Sequence, residues 1–159
     1  MRKQLLRTGA ATLALALMAG GAAADQASDV EAVKTADSAF YAALSAMDAK
    51  TMAALWADKP YVTNIGPSSK SVAVGSADAV THWMAVVVPG RYSEVKTQMA
   101  TIASVQVEGN VAWVVGEEKL NGKNTAGEPV SFALLVTDIF EKDGGRWLMI
   151  SHHAQIPPK

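Results

Sequence analysis

Residues 130–155 read VSFALLVTDIFEKDGGRWLMISHHAQ, and no other part of the chain states its conformation as clearly. Two runs, Val130 to Lys142 and Arg146 to Gln155, are dense in β-branched, large aliphatic and aromatic residues, which is the composition of strands. Asp143-Gly144-Gly145 between them supplies the backbone freedom of a tight hairpin turn. A strand sends neighbouring side chains to opposite faces, so the adjacent His152 and His153 are split. His152 follows Leu148 and Ile150 on one face, and His153 follows Trp147, Met149 and Ser151 on the other. In the first run Phe132, Leu134, Val136, Asp138 and Phe140 share a face, which embeds an acid in an apolar row.

Upstream, residues 94–108 alternate apolar and polar, a strand with one dry and one wet face. Glu108-Gly109-Asn110 turns into a further strand, Val111 to Leu120, and Asn121-Gly122 opens a polar connection to the final hairpin. The first half of the chain has helical spacing instead. Ser28 begins a capping box, and Val30, Val33, Asp37, Phe40, Leu44 and Met47 recur at three- and four-residue steps, with Asp37 expected at the edge of that stripe. Asp48 caps a second helix, Lys50 to Asp58, ended by Pro60. Tyr61 to Ile65 and Ser71 to Val74 are expected to be short strands around the Gly66-Pro67 turn. A third helix is expected over Ala77 to Val88, stopped by Pro89-Gly90. Three helices followed by long strands make an α+β fold: a curved antiparallel sheet of about four long strands and one or two short ones, wrapped over its helices.

Residues 1–24 are set aside from the fold. Arg2, Lys3 and Arg7 precede a short apolar run, and Ala22-Ala23-Ala24 satisfies the small-residue cleavage rule. A cleaved secretory signal is expected, hence a periplasmic or secreted bacterial protein. After cleavage no membrane association is expected, because the apolar run is shorter than the ~20 residues that cross a bilayer. Residues 25–159 then form one domain. The leader holds three of the 14 Lys and Arg and none of the 15 Asp and Glu, so 11 against 15 remain and the net charge becomes −4. With no clustered cations, nucleic acid is not an expected partner. The chain has no cysteine, which excludes disulfides and thiol chemistry.

This order of elements, with Thr137 to Phe140, the glycine turn and Trp147 to His153 as its clearest motifs, resembles the nuclear transport factor 2-like superfamily and within it the SnoaL-like group. That group includes ketosteroid isomerases, polyketide cyclases and the kinase association domain. The resemblance implies a cone-shaped sheet closed by helices, a pocket at its wide end and a homodimer. The fold hosts many functions, so membership alone assigns none. Ketosteroid isomerase uses an Asp base and an oxyanion hole of Tyr and protonated Asp. The resemblance puts Phe40 and Asn64 at the tyrosine and base positions, and neither does that job. Tyr41 adjoins Phe40 but points about 100° away on a helix.

His152 and His153 are candidate acid/base groups, since imidazole titrates in the useful range. The strand period and the family pattern disagree on which of them faces the pocket, the pattern favouring His153. Asp138 is the second candidate. It either orients a histidine or attracts a cationic or hydrogen-bond-donating ligand. Trp56, Tyr61, Asn64, Trp83, Trp113, Phe132 and Met149 are candidates for the pocket lining, with Glu117 as a further acid on the face of Trp113 and Val115. Neither a cofactor nor a metal is expected, because adjacent strand histidines cannot readily grip one ion and His82 would have to join one of them. Three functions fit. One is a domain binding a small apolar or weakly polar molecule. The second is an isomerase- or cyclase-type enzyme with a pocket histidine. The third is an interaction module acting through the sheet face around Val111 to Lys119.

Overall fold

The computed structural model describes residues 10–81, 84 and 88–158, with side-chain environments from Asp25 onward. The elements follow the order α1 (Ala10–Ser45), α2 (Ala49–Leu55), β1 (Thr63–Ile65), β2 (Ala73–Val74), α3 (Ser76–Thr81), α4 (Val88–Arg91), β3 (Tyr92–Glu108), β4 (Val111–Asn124), β5 (Pro129–Asp143) and β6 (Arg146–Gln155). The strands form a six-stranded sheet in the order β2-β1-β6-β5-β4-β3. It is curved and unclosed, as the α+β expectation requires, with four long and two short strands. It is not wholly antiparallel, because β1 runs parallel to β6. A parallel neighbour needs a crossover, and the intervening chain is the rest of the molecule.

Helix α1 packs on β3, β4 and β6 and buries Val33, Phe40, Tyr41 and Leu44 against them. Ser28 does not cap it. The helix continues through that position, and the Ser28 hydroxyl donates to the Asp25 carbonyl at 2.9 Å. α1 ends in a Schellman pair, Asp48 N–H to Ala43 O and Met47 N–H to Leu44 O, both 3.0 Å, with Met47 at φ 51° in the left-handed region that glycine usually fills. Asp48 caps α2 as expected, accepting from the Lys50 and Thr51 amides at 3.1 and 3.0 Å, but α2 stops at Leu55 rather than Asp58. Pro89 and Gly90 do not end a helix; they lie inside α4, where an early proline lacks only an amide that the first turn leaves unused.

Two devices bend the sheet. In β3 the register with β4 shifts at Tyr92/Glu94, Met99/Thr101 and Ile102/Ser104, so strict alternation fails there. Opposite these breaks, a Cβ at Gly116 would overlap the Thr101 carbonyl oxygen, and one at Gly122 the Glu94 carbonyl oxygen. The second device is in the final hairpin. Gly144 and Gly145, at φ 56° and 80°, close it between Asp143 and Arg146. The pairing then slips, with Phe140 opposite Met149 but Ile139 opposite Ser151, so Ile150 is an extra residue. Such a bulge shifts the side-chain alternation by one place. Trp147 and Met149 face inward, and beyond the bulge so do His152 and Ala154.

The hairpin is tied to the helices at its turn. Lys142 Nζ meets Asp29 Oδ1 at 2.6 Å, Trp147 Nε1 donates to the same oxygen at 3.2 Å, and Arg146 donates to the Ala54 carbonyl at 2.8 Å. The main core, including Phe40, Leu44, Met52, Val114, Phe140 and Met149, lies between α1, α2 and the concave side of the sheet.

Candidate functional site

A group of polar side chains sits within this apolar interior. Asp138 on β5 and His152 on β6 are directly paired in register, and Nδ1–H of His152 donates to Asp138 Oδ1 at 2.6 Å with both side chains fully buried. Tyr41 on α1 donates its hydroxyl to the other oxygen, Oδ2, at 3.0 Å. Asp37, one helical turn earlier, is 1% exposed and lies close enough for the charge of Asp138 to act on it. Phe40 covers the His152 ring with centroids 5.0 Å apart. On β4, Glu118 is 2% exposed and accepts the Thr97 hydroxyl on Oε1 at 2.5 Å.

Burial and mutual repulsion set the charges. Asp37 is pushed up to about 9 by desolvation, then by the charges of Asp138 and Glu118. It is therefore a neutral acid at pH 7. Tyr41 is held as a neutral phenol, its pKa raised by burial and by the surrounding carboxylates, Asp138 first. For His152, burial works against the charged ring, but the charge and hydrogen bond of Asp138 and the charge of Glu118 outweigh it, and the pKa is raised above 6.5. Glu118 is raised by desolvation, which the His152 charge and the Thr97 hydrogen bond partly offset.

Beside this group lies a cavity of about 380 Å³ between the 66–71 turn, α4 and the inner face of β3 to β5. Leu44, Val88, Tyr92, Val95, Leu120 and Leu134 supply apolar walls, Glu118 is the acid among the lining residues, and Lys70 and Arg91 also line it. Asp138 and His152 do not line it. The hollow and the buried dyad are neighbours, and Glu118 connects them electrostatically.

The model of the SnoaL-like domain matches residues 33–158. The chain belongs to the SnoaL-like family. Among proteins of curated function, none matches the sequence. Solved structures share the fold of this SnoaL-like chain at low identity. A putative dehydratase of the NTF2-like family from Streptomyces avermitilis aligns at TM-score 0.74 and 23% identity, over 84% of this chain and 99% of its own. Hexachlorocyclohexane dehydrochlorinase LinA-type3 from Novosphingobium barchaimii LL02 aligns at TM-score 0.72 and 15% identity, over 84% and 90%. A ketosteroid isomerase-like protein from Erwinia carotovora atroseptica SCRI1043 aligns at TM-score 0.68 and 18% identity, over 82% and 98%.

Within the SnoaL-like fold, the expected site residues separate. His152 and Asp138 come together. His153 is exposed on the opposite face, and the reading that favoured it is corrected. Glu117 is exposed and Trp113 half-buried on the outer side of β4, because the inward row is Ala112, Val114, Gly116, Glu118 and Leu120. Phe132 is 37% exposed and does not line the cavity. Tyr61 is 52% exposed and donates to Glu141 at 2.6 Å. Trp56 and Met149 are core, bridged to each other through their backbones. Asn64 is buried in register with His152 and donates to the Ala79 carbonyl at 3.3 Å, away from the cavity lining. Trp83 and His82 lie outside the described residues.

Asp37, Tyr41, Thr97 and Glu118 were missed by sequence reasoning. Asp37 interrupts an apolar helical stripe, and Tyr41 stands four residues later on the same face; that pairing was the available signal. Glu118 interrupts the row of Val114, Gly116 and Leu120 just as Asp138 interrupts its own.

Proposed function

We propose that this protein is a periplasmic or secreted small-molecule-binding domain whose ligand occupies the cavity between the 66–71 turn, α4 and β3 to β5. The observation that carries the reading is a cavity of about 380 Å³ with mostly apolar walls and one buried carboxyl, the usual make-up of a small-molecule site. The names of proteins sharing the fold, a dehydrochlorinase and a putative dehydratase among them, support a small organic ligand. The test is a thermal-shift screen of a small-molecule library on the protein and on Leu134→Phe, which fills the cavity. Ligands that raise the Tm of the parent and leave the variant unmoved support the reading. A library that shifts neither protein, or both equally, overturns it. Export predicts that protein recovered from the periplasm or medium begins at Asp25, read by intact mass.

A second reading, an isomerase- or cyclase-type enzyme, is favoured by one observation: His152 and Asp138 meet at 2.6 Å with Tyr41 completing the carboxylate. A histidine so held is a general acid/base with a fixed ring orientation. In this reading the substrate extends from the cavity to the neighbouring His152 ring, and His152→Gln abolishes its turnover while leaving its affinity within a few-fold. Turnover that survives the substitution removes His152 from the chemistry.

A further inference from the structure

We infer that Glu118 is the specificity-determining acceptor of the cavity, and that the molecule held there presents a hydroxyl or amine donor at its buried end. The inference rests on the cavity being a binding site and names the chemistry that site selects. Glu118 combines three features. It lines the cavity, it is 2% exposed, and only one of its oxygens is engaged. Oε1 takes the Thr97 hydroxyl at 2.5 Å, while Oε2, equally buried, has no hydrogen-bond partner among the described residues.

Thr97 donates to Oε1, so Oε2 is the oxygen left for a ligand, and a donor placed on it would favour the ionised form that burial disfavours. Its direction is fixed as well. Ser45 on α1 clamps the Thr97 backbone from both sides, accepting from its amide at 2.9 Å and donating to its carbonyl at 3.1 Å, which holds Thr97 and through it the carboxylate. A buried carboxylate oxygen left without a donor is costly. The apolar walls around it, Leu44, Val95, Leu120 and Leu134, cannot supply one. A molecule that seals the cavity without a donor leaves Oε2 stranded, and a site built this way rejects donor-free isosteres strongly.

Three ring systems of matched shape test this: indole, which offers an N–H donor; benzofuran, which offers only an acceptor; and indene, which offers neither. Dissociation constants are measured by NMR titration on the parent protein and on Thr97→Val/Glu118→Leu, which removes both partners of the hydrogen bond together. The unliganded Tm of the double variant, expected to be unchanged or raised, verifies its fold. The expected result is indole binding about tenfold or more tightly than benzofuran and indene on the parent, with the preference lost in the variant. Benzofuran matching or exceeding indole, or an indole preference that survives in the variant, overturns the inference. If all three bind both proteins alike, the cavity reading stands and the donor requirement alone falls. If none binds either protein, the cavity reading falls and takes this inference with it.

Discussion

At Asp37 a carboxyl that periodicity assigns to the margin of a helical stripe is 1% exposed, and its pKa is pushed up to about 9 by burial and by Asp138. A pKa raised above its unfolded value of 3.8 means the folded state holds a proton that the unfolded chain releases. The stabilisation is complete below pH 3.8 and is lost progressively as pH climbs toward 9. Glu118, also raised, adds a slope of the same sign. Asp37→Asn keeps the shape and a donor without the titration. It is expected to flatten stability against pH between about 4 and 9 and to be more stable than the parent at pH 8, read by urea unfolding at several pH values. His152 carries a different consequence. Its truncation to Ala leaves Asp138 buried without its cation, and the expected loss at pH 7 is about 3–5 kcal/mol by urea unfolding. Because the folded pKa of His152 lies above 6.5, its contribution is full below that value and declines as pH rises through the raised pKa.

At the scale of elements, the bulge at Ile150 and the broken register of β3 do what no single side chain could. Alternation read straight along β6 joins His152 to Leu148 and Ile150; the extra residue instead carries it to the face of Trp147 and Met149. The sequence signal for the hairpin was strong because Gly144-Gly145 and the β-rich flanks are local features. The bulge was illegible because it arises from pairing with β5 and from the closing of the sheet over α1. Gly116 reports the same curvature from β4. Adding a methyl there drives it into the Thr101 backbone, and Gly116→Ala is expected to cost about 1–3 kcal/mol. That corresponds to a Tm lower by roughly 2–4 °C per kcal/mol in a domain of this size, measurable by calorimetry.

For the whole molecule, the sheet leaves two surfaces of different character. The concave side holds the core, the dyad and the cavity. The convex side shows Leu135 at 40% exposure, paired in register with Glu117 and on the face of Trp113 and Ile139. We propose a homodimer formed through this outer face, and Leu135→Glu is expected to give a monomer by light scattering while keeping the parent's ligand shifts, because the cavity lies on the other side. A variant that stays dimeric places the interface elsewhere.

Fold class, the four long strands, the glycine hairpin and the capping of α2 by Asp48 were all determined by sequence, since each depends on residues close together in the chain and on the apolar periodicity they share. Which acids and which histidine meet was decided only by tertiary structure. Tyr41 reaches Asp138 across 97 residues of chain, and Glu118 takes its place because a bent sheet turns the row of Val114 and Leu120 toward α1. Contacts of that span depend on curvature, and curvature is set by how strands slip past one another when the sheet closes on its helix.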